Sequence, residues 1–135
     1  MHTTNYFNTF IEIAPDCPVT SAEVPPNQSE NTSIATLQFE MIAHHPYGYT
    51  SDEVLFAIHC KRKGLNNDLE SEQAAFFSKG QPCLRSSPLP KRYGWGLHYN
   101  DAGKVAIYPV ESEAYKRFQN DDSLKQIKAM RSKRG

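Results

Sequence analysis

No apolar run in this sequence approaches the roughly 20 residues that a membrane-spanning helix needs. The opening residues, MHTTNYFN, have neither the basic nor the apolar region of a secretory signal. Cysteine is scarce. Cys17, Cys60 and Cys83 are an odd set, far apart, with no C-x-x-C pair, which argues against a disulfide framework or a thiolate metal centre. His2, His44, His45, His59 and His98 show no metal-ligand spacing either. Gly94-Trp95-Gly96 lacks the further glycines and lysine of a phosphate-cradling loop, and Ser86-Ser87 has no nucleophile-elbow context. Cys17-Pro18 matches a haem-regulatory dipeptide, but a cysteine at a turn or strand end is the simpler reading. There is no internal repeat. These absences lead us to expect a reduced, cytoplasmic protein with no membrane, metal or cofactor.

What is present fits one domain over residues 1–135, large enough for a single core. Charge is balanced in total but not along the chain. Residues 1–80 hold 4 Lys/Arg and 10 Asp/Glu, a net −6; residues 81–135 hold 11 and 5, a net +6. A folded domain with a dipolar surface is the plain reading. The sharper one is a basic C-terminal half that meets an anionic small molecule or nucleic acid.

Residues 76–99, FFSKGQPCLRSSPLPKRYGWGLHY, are the most distinctive stretch. Pro82, Pro88 and Pro90 fall within nine residues, and each fixes φ and removes a backbone donor. Residues 82–87 between the first two are short enough for one strand. Pro88-Leu89-Pro90 reads as a rigid connector. Gly94-Trp95-Gly96 opens another strand, with glycines that allow close backbone approach beside the indole. Leu97-His98-Tyr99 and residues 104–108 then flank Asn100-Asp101-Ala102-Gly103, a run of turn formers that predicts a hairpin.

The segments SKGQPCLRSSPLPKRYGWG and LKQIKAMRSKR, with NTFIEIAPDCP at the front, resemble a family of small bacterial and fungal proteins known as a domain of unknown function, DUF6157. The resemblance covers nearly the whole chain and implies one complete domain. It implies no activity, cofactor or catalytic residue.

Elsewhere, residues 8–14 read as a first strand ended by Pro15, and residues 15–29, with four prolines, as a loop. A helix is predicted from about Asn31 or Thr32 to His44, with Ile34, Ala35, Leu37, Phe39, Met41 and Ile42 as a broad apolar face. Residues 50–63 are ambiguous, because Val54 to Cys60 could be a buried strand. The capping box Thr50-x-x-Glu53, the basic Lys61-Arg62-Lys63 and the stop at Gly64 favour a helix. A third helix starts at about Asn67-Asp68 and runs to Ser78, with Leu69, Gln73, Ala74, Phe76 and Phe77 as its stripe and Gly80 as its cap. Ser112 caps a fourth, Glu113 to Gln119, with Tyr115 and Phe118 facing the core together. A basic terminal helix from Ser123 to about Arg131, followed by a tail to 135, closes the chain.

The expected fold is therefore α+β. Strands near 8–14, 82–87, 94–99 and 104–109 form a mostly antiparallel sheet, with helices on one face or at the ends. The candidate site residues are Cys83, Arg85, Lys91, Arg92, Tyr93, Trp95 and His98. Arginine forks suit carboxylate and phosphate oxygens, and aromatic faces suit planar rings, so the set would fit a nucleotide or another aromatic anion. Strand alternation places Trp95 with Leu97 and Gly96 with His98, on opposite faces. The plainer readings are a core role for Trp95 and an exposed loop for Lys91-Arg92. The preferred function is a non-enzymatic binding domain for an anionic or aromatic ligand or nucleic acid. One rival is an enzyme using Cys83 as a thiol nucleophile, with Arg85 and His98. Another is a partner-binding or homo-oligomeric module.

Overall fold

The computed structural model describes residues 2–26 and 33–131. The expected helix start at Asn31 or Thr32 and the basic residues Lys133 and Arg134 lie outside the described residues. The strands are β1 (Thr9–Glu12), β2 (Trp95–Tyr99), β3 (Val105–Pro109) and β4 (Lys125–Lys128). The helices are α1 (Ile34–His44), α2 (Ser51–Lys63), α3 (Leu69–Phe77) and α4 (Glu113–Gln119). The sheet runs β3-β2-β1-β4. The hairpin β2–β3 and the pair β1–β2 are antiparallel, while β4 runs parallel to β1. The class is α+β, as expected.

Strand alternation divides the molecule. Ile11, Leu97, Tyr99 and Val105 face a core completed by Leu37, Ile42, Val54 and Ile58 of α1 and α2. Phe10, Gly96 and His98 face the other way, toward α4. There Phe10 meets the Tyr115 ring edge-on at 5.0 Å and stacks on Phe118 at 5.6 Å. Ile13 N–H donates to the Tyr115 hydroxyl at 2.9 Å, tying α4 to the end of β1. Burial pushes that phenol up to about 12, against the pull of the same hydrogen bond.

The ambiguous segment 50–63 is a helix. Both hydrogen bonds of its capping box form, and Gly64 closes it at φ +68. The caps satisfy end groups that a strand would have left open. Three expectations fail. Residues 82–87 are not a strand: Leu84–Ser86 make a 3-10 turn. Ser86 and Ser87 turn their hydroxyls back onto the carbonyls of Cys83 and Leu84 (2.9 and 2.6 Å), so local side-chain bonds replace a strand ladder. Next, the prolines of this segment predict a locally non-helical connector, but Pro88-Leu89-Pro90 leads into one wide π-type turn, Leu89–Tyr93, closed by Gly94 at φ +82. A Cβ on Gly94 would meet Val19 at 2.8 Å, so this glycine serves both the turn and the close approach of residues 19–22.

The terminal segment is the third failure. It is strand β4, not a helix. Lys125 N–H and Ala129 N–H donate to Asn8 and Glu12 carbonyls (both 2.9 Å) along β1. A short isolated helix is marginal, and the open edge of β1 offers it a better set of partners. Two smaller differences concern α3. It stops at Phe77, close to the expected end, but its cap is Ser78 rather than Gly80, with the Ser78 hydroxyl donating to the Ala75 carbonyl at 2.6 Å. Its expected stripe also shrinks: Leu69, Gln73 and Ala74 are exposed, and of the stripe only Phe76 and Phe77 are covered.

Candidate functional site

The seven candidate residues do not converge. Trp95 sits on the α1 face of β2, edge-on to Phe39 at 5.2 Å, and its Nε1–H donates to the Glu23 carbonyl at 2.8 Å. Arg92 pairs with the Glu23 carboxylate at 3.2 Å and lies over the Tyr93 ring at 5.0 Å. Glu23 N–H donates to the Tyr93 carbonyl. The chain's own Glu23 thus occupies the Arg92 guanidinium, one of the two cations of this turn. The pair is about half exposed on both sides (49% and 51%), so it contributes at most about 1 kcal/mol. Lys91 is half-buried within the same turn.

Arg85 serves the sheet edge. Its Nε–H donates to the Lys128 carbonyl at 2.7 Å, and its own carbonyl accepts from Met130 N–H. Cys83 Sγ lies 3.6 Å from the Tyr6 hydroxyl. Burial and the neighbouring thiol raise the Tyr6 phenol, while Arg85 pulls it back. Tyr6 packs against Tyr99, which is fully buried and raised by that burial. His98 is on the opposite face of the sheet, so Cys83 and His98 form no nucleophile–base pair here.

His98 instead belongs to a polar row under α4. Its ring stacks on Phe118 at 4.1 Å and 18°, and Nδ1 is 2.7 Å from the Tyr47 hydroxyl. The same hydroxyl is 2.7 Å from that of Tyr108. Burial lowers the His98 pKa, with Asp121 opposing, and burial beside Tyr108 raises that of Tyr47. Tyr47 has φ +58, an uncommon conformation for a non-glycine residue, held by its N–H to the Val105 carbonyl at 3.0 Å.

A cleft of about 560 Å³ opens elsewhere, between α1, α2, α3 and residues 81–88. Leu55, Ile58 and Phe76 supply apolar wall, and His59, Arg62 and Lys63 line it from the last turns of α2. His59 and Phe76 are in ring contact at 4.5 Å. Cys83 is the one sequence candidate that lines this cleft. Among the described residues neither Arg62 nor Lys63 has a carboxylate partner. Ser86 and Ser87, also in the lining, spend their hydroxyl protons on their own turn.

Gln38 also lines the cleft. It is only 3% exposed, and its Oε1 has no hydrogen-bond partner among the described residues. An unpaired buried polar group costs on the order of 1–3 kcal/mol, so such groups are rare without a reason. No three His, Cys, Asp or Glu side chains among the described residues are grouped to hold a metal.

Sequence reasoning passed over this cleft. Two signals were available. Leu55, Ile58, His59 and Arg62 recur at i, i+3, i+4 and i+7, one face of a helix that turns from apolar to basic. Gln38 interrupts the apolar face of α1. Neither says that α3 and residues 81–88 would stand off to leave a gap.

The sequence model of a family of unknown function, DUF6157, matches residues 1–135. The chain belongs to the DUF6157 family. No curated protein and no solved structure matches it. The motif SKGQPCLRSSPLPKRYGWG that carries the resemblance to DUF6157 proteins has a structural reading in this chain. It builds one wall of the cleft at Gln81–Pro88, then the turn that receives residues 14–23, then β2. No helix of the described residues is long and apolar enough to cross a membrane.

Proposed function

We propose that this DUF6157 protein is a binding domain for a small organic anion, and that the ligand sits in the cleft between α1, α2, α3 and residues 81–88. The observation that carries this reading is the wall of α2. Apolar Leu55 and Ile58 give way to His59, Arg62 and Lys63, and the two strong cations have no carboxylate partner among the described residues. A concave, mostly apolar site with a few convergent polar groups is what small-molecule recognition uses. From Leu55 to Lys63 the helix rises about 12 Å, enough for a ligand with one or two rings and an acid group.

Isothermal titration against a panel of aromatic carboxylates and phosphates tests the reading. At least one should bind, more weakly as salt rises, and Arg62→Ala with Lys63→Ala should weaken it by about tenfold or more. A panel that fails entirely, or binding indifferent to both substitutions, would count against it.

A thiol reaction remains the rival, because Cys83 lines the same cleft with Tyr6 and Arg85 nearby. Rapid alkylation of Cys83 by iodoacetamide below neutral pH, blocked by a bound anion, would favour it; an inert thiol would remove it. The unpaired cysteines agree with a reducing, cytoplasmic setting.

A further inference from the structure

Resting on the anion-binding reading, we infer that the ligand of the cleft is a nucleoside monophosphate, with Gln38 reading the edge of the base. Gln38 is 3% exposed on α1, yet its Oε1 is buried with no hydrogen-bond partner among the described residues. A carboxamide presents an acceptor and a donor side by side in one plane. The ligand group that meets both at once is a planar ring with a donor and an acceptor on adjacent atoms. Nucleobase edges have that pattern, and glutamine is a natural partner for it.

The rest of the lining suits the rest of such a molecule. Phe76 and His59, already in ring contact, offer faces for a flat heterocycle. Arg62 and Lys63 offer charge-assisted bonds to a phosphate. The cleft is large enough for one nucleotide, at about 560 Å³. A purely aliphatic acid would leave Gln38 Oε1 as unsatisfied as it is in the free protein.

The test compares the four common ribonucleoside monophosphates with ribose 5-phosphate, which keeps the phosphate and sugar and lacks the base. Each is titrated into the wild-type chain and into Gln38→Met, which keeps the length of the side chain and removes its polar atoms. Gln38→Leu serves as a second variant. We expect at least one nucleotide to bind more tightly than ribose 5-phosphate. The methionine variant should weaken that nucleotide by about tenfold, one hydrogen bond or two in magnitude, and leave ribose 5-phosphate unchanged. Nucleotide binding untouched by both variants overturns the inference. If aromatic carboxylates bind and depend on Arg62 while no nucleotide does, the inference falls and the anion-binding reading stands. If nothing binds, both fall. A single-stranded oligonucleotide that binds far more tightly than any monophosphate, with no loss in Gln38→Met, also overturns it.

Discussion

The Tyr47 hydroxyl stands 2.7 Å from His98 Nδ1 and 2.7 Å from the Tyr108 hydroxyl. A phenol has one proton to give. If Tyr47 donates to a neutral His98, it accepts from Tyr108, and the whole row is satisfied. Protonating His98 makes Nδ1 a donor and forces the row to reverse.

This arrangement predicts a pH effect of definite sign. Burial holds His98 below its ordinary 6.5 in the folded state. Above 6.5 the ring is neutral folded or unfolded and contributes no pH dependence. As pH falls through 6.5 the unfolded chain takes up the proton first, and stability declines until the folded value is passed. Denaturation midpoints for the wild type and His98→Gln, taken on both sides of 6.5, should converge as pH falls. A difference that stays constant across that range would refute the effect. Tyr47→Phe strands two partners and should cost about 1–3 kcal/mol in the same measurement.

Gly96 predicts a steric outcome. A Cβ there would lie 2.6 Å from the Tyr115 ring and 2.8 Å from Phe10, both packed between β1 and α4. Gly96→Ala should lose about 1–3 kcal/mol, the cost of overpacking a filled core. Urea unfolding monitored by tryptophan fluorescence measures it. An alanine variant as stable as the parent would mean that α4 yields freely.

Arg85 predicts a local one. Its Nε–H holds the Lys128 carbonyl from outside the sheet, where no fifth strand among the described residues could do so. Arg85→Met should speed amide exchange over residues 125–129 while leaving β2 and β3 unaffected, with a global loss of about 1 kcal/mol. Arg85→Lys should not restore protection, since lysine lacks the Nε–H set back from the end of the side chain. Unchanged exchange at β4 would show that β1 holds the strand unaided.

Much of the fold was legible because local chemistry and tertiary structure agreed. The Thr50 capping box, the Gly64 stop, the Ser112 cap and the turn at 100–103 all form as their residues dictate. What misled was local propensity decided elsewhere. Residues 124–131 carry an apolar spacing that a helix could use, and the edge of β1 overrode it. Pro82 and Pro88 suggested the limits of a strand, while two serine hydroxyls drew the chain into a turn. The candidate site was less legible still. Residues 85–98 are adjacent in sequence, yet β2 alternation and the Glu23 strap distribute them over two faces. The cleft is assembled from four separated segments, and no local pattern in any of them announces the space between.

β1 lies in the interior of the sheet, with Thr9 paired to Tyr99 on one side and Lys125 on the other. Both neighbours emerge from the ribosome long after it. Until then a strand containing Phe10 and Ile11, both destined for complete burial, has neither flank covered. The sheet can therefore close only after α1, α2 and α3 have been made, and its first strand waits longest for its partners.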